Sequence, residues 1–289
     1  MRSPIASIRT RFSEGAHAAL AMLFQDRLDA DVTAEALAAQ MRLDWPDVEL
    51  SGLAVDRDES ADRDGPVRLD LDGRMIALLT VPSPVGDDVA DIAGHSRLWP
   101  KEVPAPTDYT AHTIVTVLRP GSTDEDAIAD AVLLSRVVAS LVALSGTIRA
   151  VYFGSANHII LPALFRDLVK DVLPEPPLLA WVAINVGRRP DGVMTGHTRG
   201  LDMLDLPDID IPDTPESAGD TFDRLTGIAS YLLKEGPVIN DGDTIGSTEV
   251  AEIVVDHAPS DIDPERTVLR LRFDAGQSKR KRGWFGRRR

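Results

Sequence analysis

The stretch VRLDLDGRMIALLTV, Val67 to Val81, decides the fold class. Two strand-like runs, Val67 to Leu71 and Met75 to Val81, flank Asp72-Gly73. That pair suits a type I′ turn, whose two central positions both need positive φ. A tight hairpin makes antiparallel neighbours, whereas a doubly wound fold needs helical crossovers. A second turn, Arg189-Pro190-Asp191-Gly192, sends Val193 to Thr198 back antiparallel. Before it, Leu178 to Val186 is continuously apolar and reads as a central strand buried on both faces. Val250 to Val255 and Val268 to Phe273 form a last strand pair. With hairpins this frequent and helices spaced irregularly between them, the expected class is α+β: a mixed, mostly antiparallel sheet packed with helices. The largest sheet is expected to combine parallel and antiparallel pairs.

The other elements fit around these. Ala18 to Phe24, Val48 to Val55, His112 to Leu118 and Ile148 to Phe153 read as strands. Thr33 caps a helix through Leu37 and Met41, and a weak helix covers Asp87 to Ala93. Ser122 or Thr123 caps the long apolar helix Ala127 to Leu144, with Asp124, Glu125 and Asp126 at its positive end. Pro162 starts a helix through Val172. Thr214-Pro215-Glu216 opens another, which Gly236-Pro237 closes. The Pro-rich run Trp99 to Pro106 is the best internal boundary. Residues 1–14 read as a disordered leader, 15–275 as one α+β domain, and 276–289 as a disordered basic tail. Segments 15–105 and 106–275 both open strand–helix–strand and then add a hairpin, but their residues do not repeat convincingly.

The chain has 289 residues, 46 acidic and 31 basic, and no cysteine. Without cysteine there is no disulfide, no thiolate nucleophile and no cysteine-ligated metal. The net charge of −15 is uneven: Lys279 to Arg289 hold seven basic and no acidic residues, so the rest carries 24 − 46 = −22. So acidic a body repels nucleic acid and anionic membrane. Such partners are expected to be met only by the tail, through Lys279, Arg280, Lys281, Arg282, Trp284, Phe285, Arg287, Arg288 and Arg289. The plainer reading of that tail is a solvated end. The N-terminal apolar run has no small-residue cleavage site and reads as a leader into a strand. The long helix contains Asp130 and Arg136 and reads as a core helix, so a soluble, cytoplasmic protein is expected.

Catalytic signatures are sparse. None of the six histidines has HxH, HxxxH or HxxE spacing, and GxxxxGK[ST], GxGxxG and GxSxG are all missing. His112, in an apolar strand, reads as a satisfied core histidine. Gly154-Ser155-Ala156-Asn157 reads as a strand–helix connector. His197 and Arg199, at a strand end beside Gly200, could bind an anion or polarise a carbonyl; the alternative is a hairpin exit. Asn240-Asp241-Gly242-Asp243-Thr244 opens like a calcium loop, but the fifth position is Ile245, which offers no side-chain oxygen, so a tight turn is preferred. The candidate site residues are therefore His197, Arg199, Asp241 and Asp243, with no metal and no cofactor expected.

Several strings taken together resemble a known family. They are AHTIVTVL (Ala111 to Leu118), VYFGSANHIILPALF (Val151 to Phe165), LLAWVAINV (Leu178 to Val186), HTRGLDMLDLPDIDI (His197 to Ile211) and YLLKEGPVINDGDTIG (Tyr231 to Gly246), with PSP (Pro82 to Pro84) and LWP (Leu98 to Pro100) before them. In this order they resemble the bacterial domain-of-unknown-function 4261 family over roughly residues 16–272. The resemblance implies a bacterial source and a single family-wide domain, and it brings no catalytic residues to carry over. The expected function is a non-catalytic interaction module, of accessory or immunity type, whose partner is another protein. The alternative is a hydrolase with a pocket of His197, Arg199 and Asp241 or Asp243.

Overall fold

The hairpin at Asp72-Gly73 forms with φ of 53° and 80° at its two central residues. Gly73 N–H donates to Asp70 Oδ1 at 3.3 Å, so the turn is also closed from its own side chains. Around it lies a seven-stranded sheet, and a six-stranded sheet follows in the chain. The computed structural model describes residues 19–55, 66–86, 88–119, 126–154, 156–247 and 252–274; the leader 1–14 and the tail 276–289 lie outside them.

The first sheet contains β1 (Ala19–Gln25), β2 (Ala54–Val55), β3 (Val67–Leu71), β4 (Arg74–Val81), β5 (Ala111–Leu118), β6 (Ile148–Phe153) and β7 (Ile159–Ile160). Their spatial order is β2-β3-β4-β5-β1-β6-β7, and every pairing is antiparallel. Successive side chains of β1 point to opposite faces, and both faces are covered. Ala19, Ala21 and Leu23 enter the core beneath helices α1 (Ala34–Asp44), α3 (Ala127–Leu144) and α4 (Pro162–Val172). Met22 and Phe24 enter a second cluster under α2 (Val89–His95), with Trp99 and Tyr109. Phe24 stacks on Tyr109 with ring centroids 4.8 Å apart. Burying side chains of this size stabilises by about 1.5–3 kcal/mol each. That explains why β1 is apolar at every position from Ala19 to Phe24 rather than at alternate ones.

The helices start where local chemistry allows. Thr33 accepts from Ala36 N–H at the head of α1. Asp126 accepts from Ala129 N–H at the head of α3, while Ser122 and Thr123 lie outside the described residues. Pro162 opens α4. α3 is long and apolar enough to cross a membrane by length and composition, but more than half of it is buried within the fold. Asp130 in its first turn is held by Arg74 and Arg119, each at 2.8 Å.

The second sheet contains β8 (Ala183–Arg188), β9 (Met194–Arg199), β10 (Ile209–Thr214), β11 (Thr244–Ser247), β12 (Glu252–Pro259) and β13 (Thr267–Asp274), in the order β11-β12-β13-β10-β9-β8. A short helix α5 (Leu178–Trp181) precedes β8, and α6 (Ala218–Glu235) follows β10. Ser217 caps α6 and Gly236, at φ 80°, ends it. Ile184, Ile209, Ile211, Val255, Leu269 and Leu271 join Leu225, Ala229 and Leu232 of α6 in the large core cluster. Trp181 stacks on Phe153 of the first sheet, 6.4 Å between centroids, so one core runs through both sheets.

The α+β class with mostly antiparallel strands is what the sequence indicates. Four local expectations are corrected. The mixing of directions is not in the larger sheet, which is wholly antiparallel; the parallel pair is β10 with β13, in the smaller one. Leu178 to Val186 is not a central strand: Leu178–Trp181 is helical, following Pro176-Pro177, and β8 is an edge strand. Trp181 and Ile184 are nonetheless buried, because α5 and β8 are covered from the core side. Only Ala54–Val55 of the run Val48 to Val55 is strand, the rest being turns that bury Leu50 and Leu53. The run Trp99 to Pro106 is not a domain boundary but a cover for the first sheet, with Trp99 anchored through Nε1–H to Val103 O at 3.1 Å. β5, β6 and β7 complete the first sheet.

Candidate functional site

His197 and Arg199 stand two residues apart on β9, so they share one face of the second sheet. The core occupies the opposite face, where Ile184, Thr198, Ile209, Ile211, Leu269 and Leu271 point inward. The strand register lays a transverse row of polar residues across the outer face: Asn185, His197, Asp210, Arg270 and Asp256, one from each of five strands. Directly opposed side chains have Cβ atoms about 4.5–5.5 Å apart. His197 is half-buried. Its pKa is held below the ordinary imidazole value by burial, while Asp210 pulls it up and Arg199 pushes it down.

A loop straps part of this row. Asp210 is buried and accepts from Asp261 N–H at 3.0 Å. Arg270 donates to Pro259 O at 2.7 Å and pairs with Asp261 at 2.5 Å. Arg272 pairs with Asp256 on the neighbouring strand and with Asp274 at 3.0 Å. On the β13 side of the row the charged groups pair with one another, although Arg270 Nε is buried without a partner; the β8–β9 side carries Asn185, His197 and Arg199.

Behind β9 the chain turns sharply, and a buried carboxylate governs the turn. Asp208 accepts from Thr198 Oγ1–H at 2.8 Å, Leu201 N–H at 3.2 Å and Gly200 N–H at 3.3 Å. Thr198 Oγ1 in turn accepts from Ile209 N–H at 2.8 Å. Burial, and next the charge of Asp202, push the Asp208 carboxyl up to about 6, against the opposing pull of its three donors. Gly200 has φ 122°, and a Cβ there would lie 2.7 Å from Trp181 O. Glycine is required on both counts.

The four residues chosen from sequence do not form one cluster. His197 and Arg199 are together on β9. Asp241 and Asp243 are at the β11–β12 side, where Asp241 Oδ1 accepts from His257 N–H at 2.7 Å and Asp243 Oδ2 from Asn240 N–H at 2.7 Å. From β12 to β9 is three strand spacings, roughly 14 Å. Gly242, at φ 83°, donates to Val255 O at 2.7 Å, so Asn240 to Asp243 is a tight turn docked on β12. Among the described residues no group of three or more His, Asp or Glu is placed to hold a metal ion.

The other histidines of interest are structural. His112 Nδ1 lies 2.7 Å from Ser83 O. His158 Nε2 lies 3.1 Å from Ala180 O, and burial holds its pKa down at about 4, so the neutral ring donates there. Gly154 and Asn157 both have positive φ and make the connector between β6 and β7; Ser155 lies outside the described residues. The tail residues Lys279 to Arg289 lie outside them too.

Sequence reasoning missed Asn185, Asp208, Asp210 and Arg270. The string Asp208-Ile209-Asp210-Ile211 carried a signal, since strict alternation places both isoleucines inward. Which residues face His197 needed the register, which alternation does not supply.

No curated protein and no solved structure matches the chain. A family model does match, over residues 197–272, from His197 through β13. The strings Ala111 to Leu118 and Val151 to Phe165 precede the matched segment. Over these residues, which carry the Asp208 turn and most of the polar row, the chain is similar to the family described as Domain of unknown function (DUF4261).

Proposed function

We propose that the protein is a non-catalytic interaction module that binds another protein through the outer face of its second sheet. The observation that carries this reading is how the carboxylates of the second sheet and its turns are used. Asp208 holds a turn, Asp210 holds the 260–266 loop, and Asp241 and Asp243 hold another turn. Acid–base catalysis needs a group free to exchange a proton with substrate; these four are committed to backbone N–H groups. The −22 body favours a basic partner, since complementary fields steer association. An accessory or immunity-type role in the bacterial cytoplasm fits such a partner and the family resemblance.

The test is quantitative affinity capture from the native cell with wild-type protein and with Asn185→Trp, which places a bulky side chain on the outer face. The reading expects one partner to be lost from the variant while its melting temperature holds. Identical partner sets from the two proteins would count against it. A second reading, a hydrolase, is favoured by one observation: Asp210 opposes His197 directly and raises its proton affinity. It requires a hydrolytic turnover that His197→Gln removes. The tail residues Lys279 to Arg289 supply a separate reading, contact with anionic membrane or nucleic acid. Its supports are seven positive charges and Trp284-Phe285.

A further inference from the structure

Three helices meet at Trp45, the residue that ends α1. Asp44 is buried and takes a two-point ion pair from Arg166 of α4, at 2.8 and 2.5 Å. Arg166 also donates to Ala139 O of α3 at 2.7 Å. Lys170, one turn further along α4, donates to Asp44 O at 3.3 Å and stands 3.6 Å from the Asp44 carboxylate. Trp45 Nε1–H is shared between Ser140 Oγ at 3.2 Å and Arg136 O at 3.3 Å, both on α3. Two charges lie by its ring, Arg136 Cζ at 5.9 Å and Lys170 Nζ at 5.5 Å from the centroid. Arg136, Arg166 and Lys170 gather around the Asp44 carboxylate, and the charge of Asp167 also acts on Arg166. The junction carries a surplus of positive charge inside a body that is otherwise strongly acidic.

Arg136 is the unusual member. Arg74 and Arg119 have Asp130, Arg166 has Asp44, Arg224 has Glu216, and Arg266 has Asp202. No described residue accepts a hydrogen bond from Arg136, and its Nε is buried without a partner. Burial holds its pKa below the usual arginine value, with no carboxylate opposing the effect. A desolvated, unpaired cation is costly to keep, and an apolar residue of similar size would usually pack as well or better. Its terminal nitrogens are not sealed off as Nε is, and the Lys170 side chain is 37% exposed. The surplus charge therefore reaches solvent.

We propose that Arg136 and Lys170, at the Trp45 junction, form a binding site for a phosphate group. A surplus of positive charge suits an oxyanion, and an arginine fork and a lysine point charge that flank the same Trp45 ring are groups of the kind that bind phosphate. Trp45 is 8% exposed, with both cations beside its ring, so a stacked nucleobase has no platform there. The ligand is the oxyanion, free or carried on a small organic group.

The test uses the full-length chain, with inorganic phosphate as the probe and sodium chloride holding ionic strength constant. Tryptophan fluorescence and thermal melting are read together. Wild type should show a saturable fluorescence change and a rise in melting temperature with phosphate. Arg136→Met and Lys170→Met should each weaken binding by about tenfold or more, the worth of one charge-assisted hydrogen bond. Without phosphate, Arg136→Met should melt at or above wild type, because it removes an unpaired buried charge. Trp45→Phe should lose the fluorescence change and keep the thermal response. If Arg136→Met folds poorly, Arg136→Lys and Lys170→Met still give the affinities. A parallel titration with glycerol 3-phosphate separates the sources: tighter binding assigns a phosphomonoester, equal or weaker binding the free ion. Wild type indifferent to both ligands overturns the proposal. So does a response that survives intact in Arg136→Met and Lys170→Met, which would belong to the basic tail.

Discussion

Asp208→Asn tests the buried turn behind β9 in a way that separates charge from shape. Asparagine fills the same volume and still accepts from Thr198 and Leu201, but its NH2 group faces Gly200 N–H, donor against donor. The wild-type carboxyl is pushed up to about 6 from an ordinary 3.8. Its folded pKa lies above its unfolded one, so between those values the folded state binds more protons. This group's contribution is then fully present below about pH 4, is lost as pH rises to about 6, and is flat above. From pH 8 to pH 4.5 the gain of wild type over the variant works out at about 2 kcal/mol. Other titrating groups are common to both proteins and cancel in the difference. The assay is urea unfolding of both proteins at several pH values, read by tryptophan fluorescence. Wild type should gain on the variant steadily as the solution is acidified. A gap that narrows on acidification would mean the three donors outweigh burial and hold Asp208 ionised, and the reasoning would be refuted.

Other outcomes follow from single contacts. Gly200→Ala places a Cβ against Trp181 O at a positive φ, and should lower stability by about 2–4 kcal/mol in denaturant unfolding. Asp44→Asn leaves the half-buried Arg166 without its counter-charge and should cost about 1–3 kcal/mol by the same assay. Asp44 itself is pushed up by burial but brought down to about 2 by its hydrogen bonds, Arg166 first. Its contribution is therefore present above about pH 4 and lost as pH falls through about 2, opposite in sign to that of Asp208. Ser135→Ala strands Trp181 Nε1–H, now bonded at 2.8 Å, in the core and should cost about 1–3 kcal/mol. Deleting residues 279–289 changes the formal charge from −15 to −22 and, if the tail contacts anionic vesicles, abolishes that binding at low salt.

Legibility followed the range of the interaction. The Asp72-Gly73 turn, the Pro162 start of α4 and the Gly236 stop of α6 are set by residues within a few positions of each other, and each is where the sequence puts it. Leu178 to Val186 was ambiguous because an apolar run has no period when it is buried all round. Trp99 to Pro106 looks like a linker by composition, and only the distant apolar face of β1 makes it a cover. The candidate site was half legible. His197 and Arg199 stood out by residue type, but their neighbours Asn185 and Asp210 arrive by strand register, which sequence spacing does not encode.

The position of β1 in the first sheet has a consequence for biosynthesis. It is the earliest described strand to leave the ribosome, yet its two neighbours are β5 and β6, through pairings such as Ala19 with Val117 and Leu23 with Val151. Its edge toward β5 stays unmade until the chain has grown past Leu118, and its edge toward β6 until it has grown past Phe153. For that interval a strand that is apolar from Ala19 to Phe24 has an open edge on a nascent chain, the circumstance in which strand edges aggregate or recruit chaperones. Contacts of such sequence separation also slow folding once synthesis ends. A fragment that stops before β6 would therefore leave one edge of its first strand open, and the first sheet is completed only after β6 and β7 have been made.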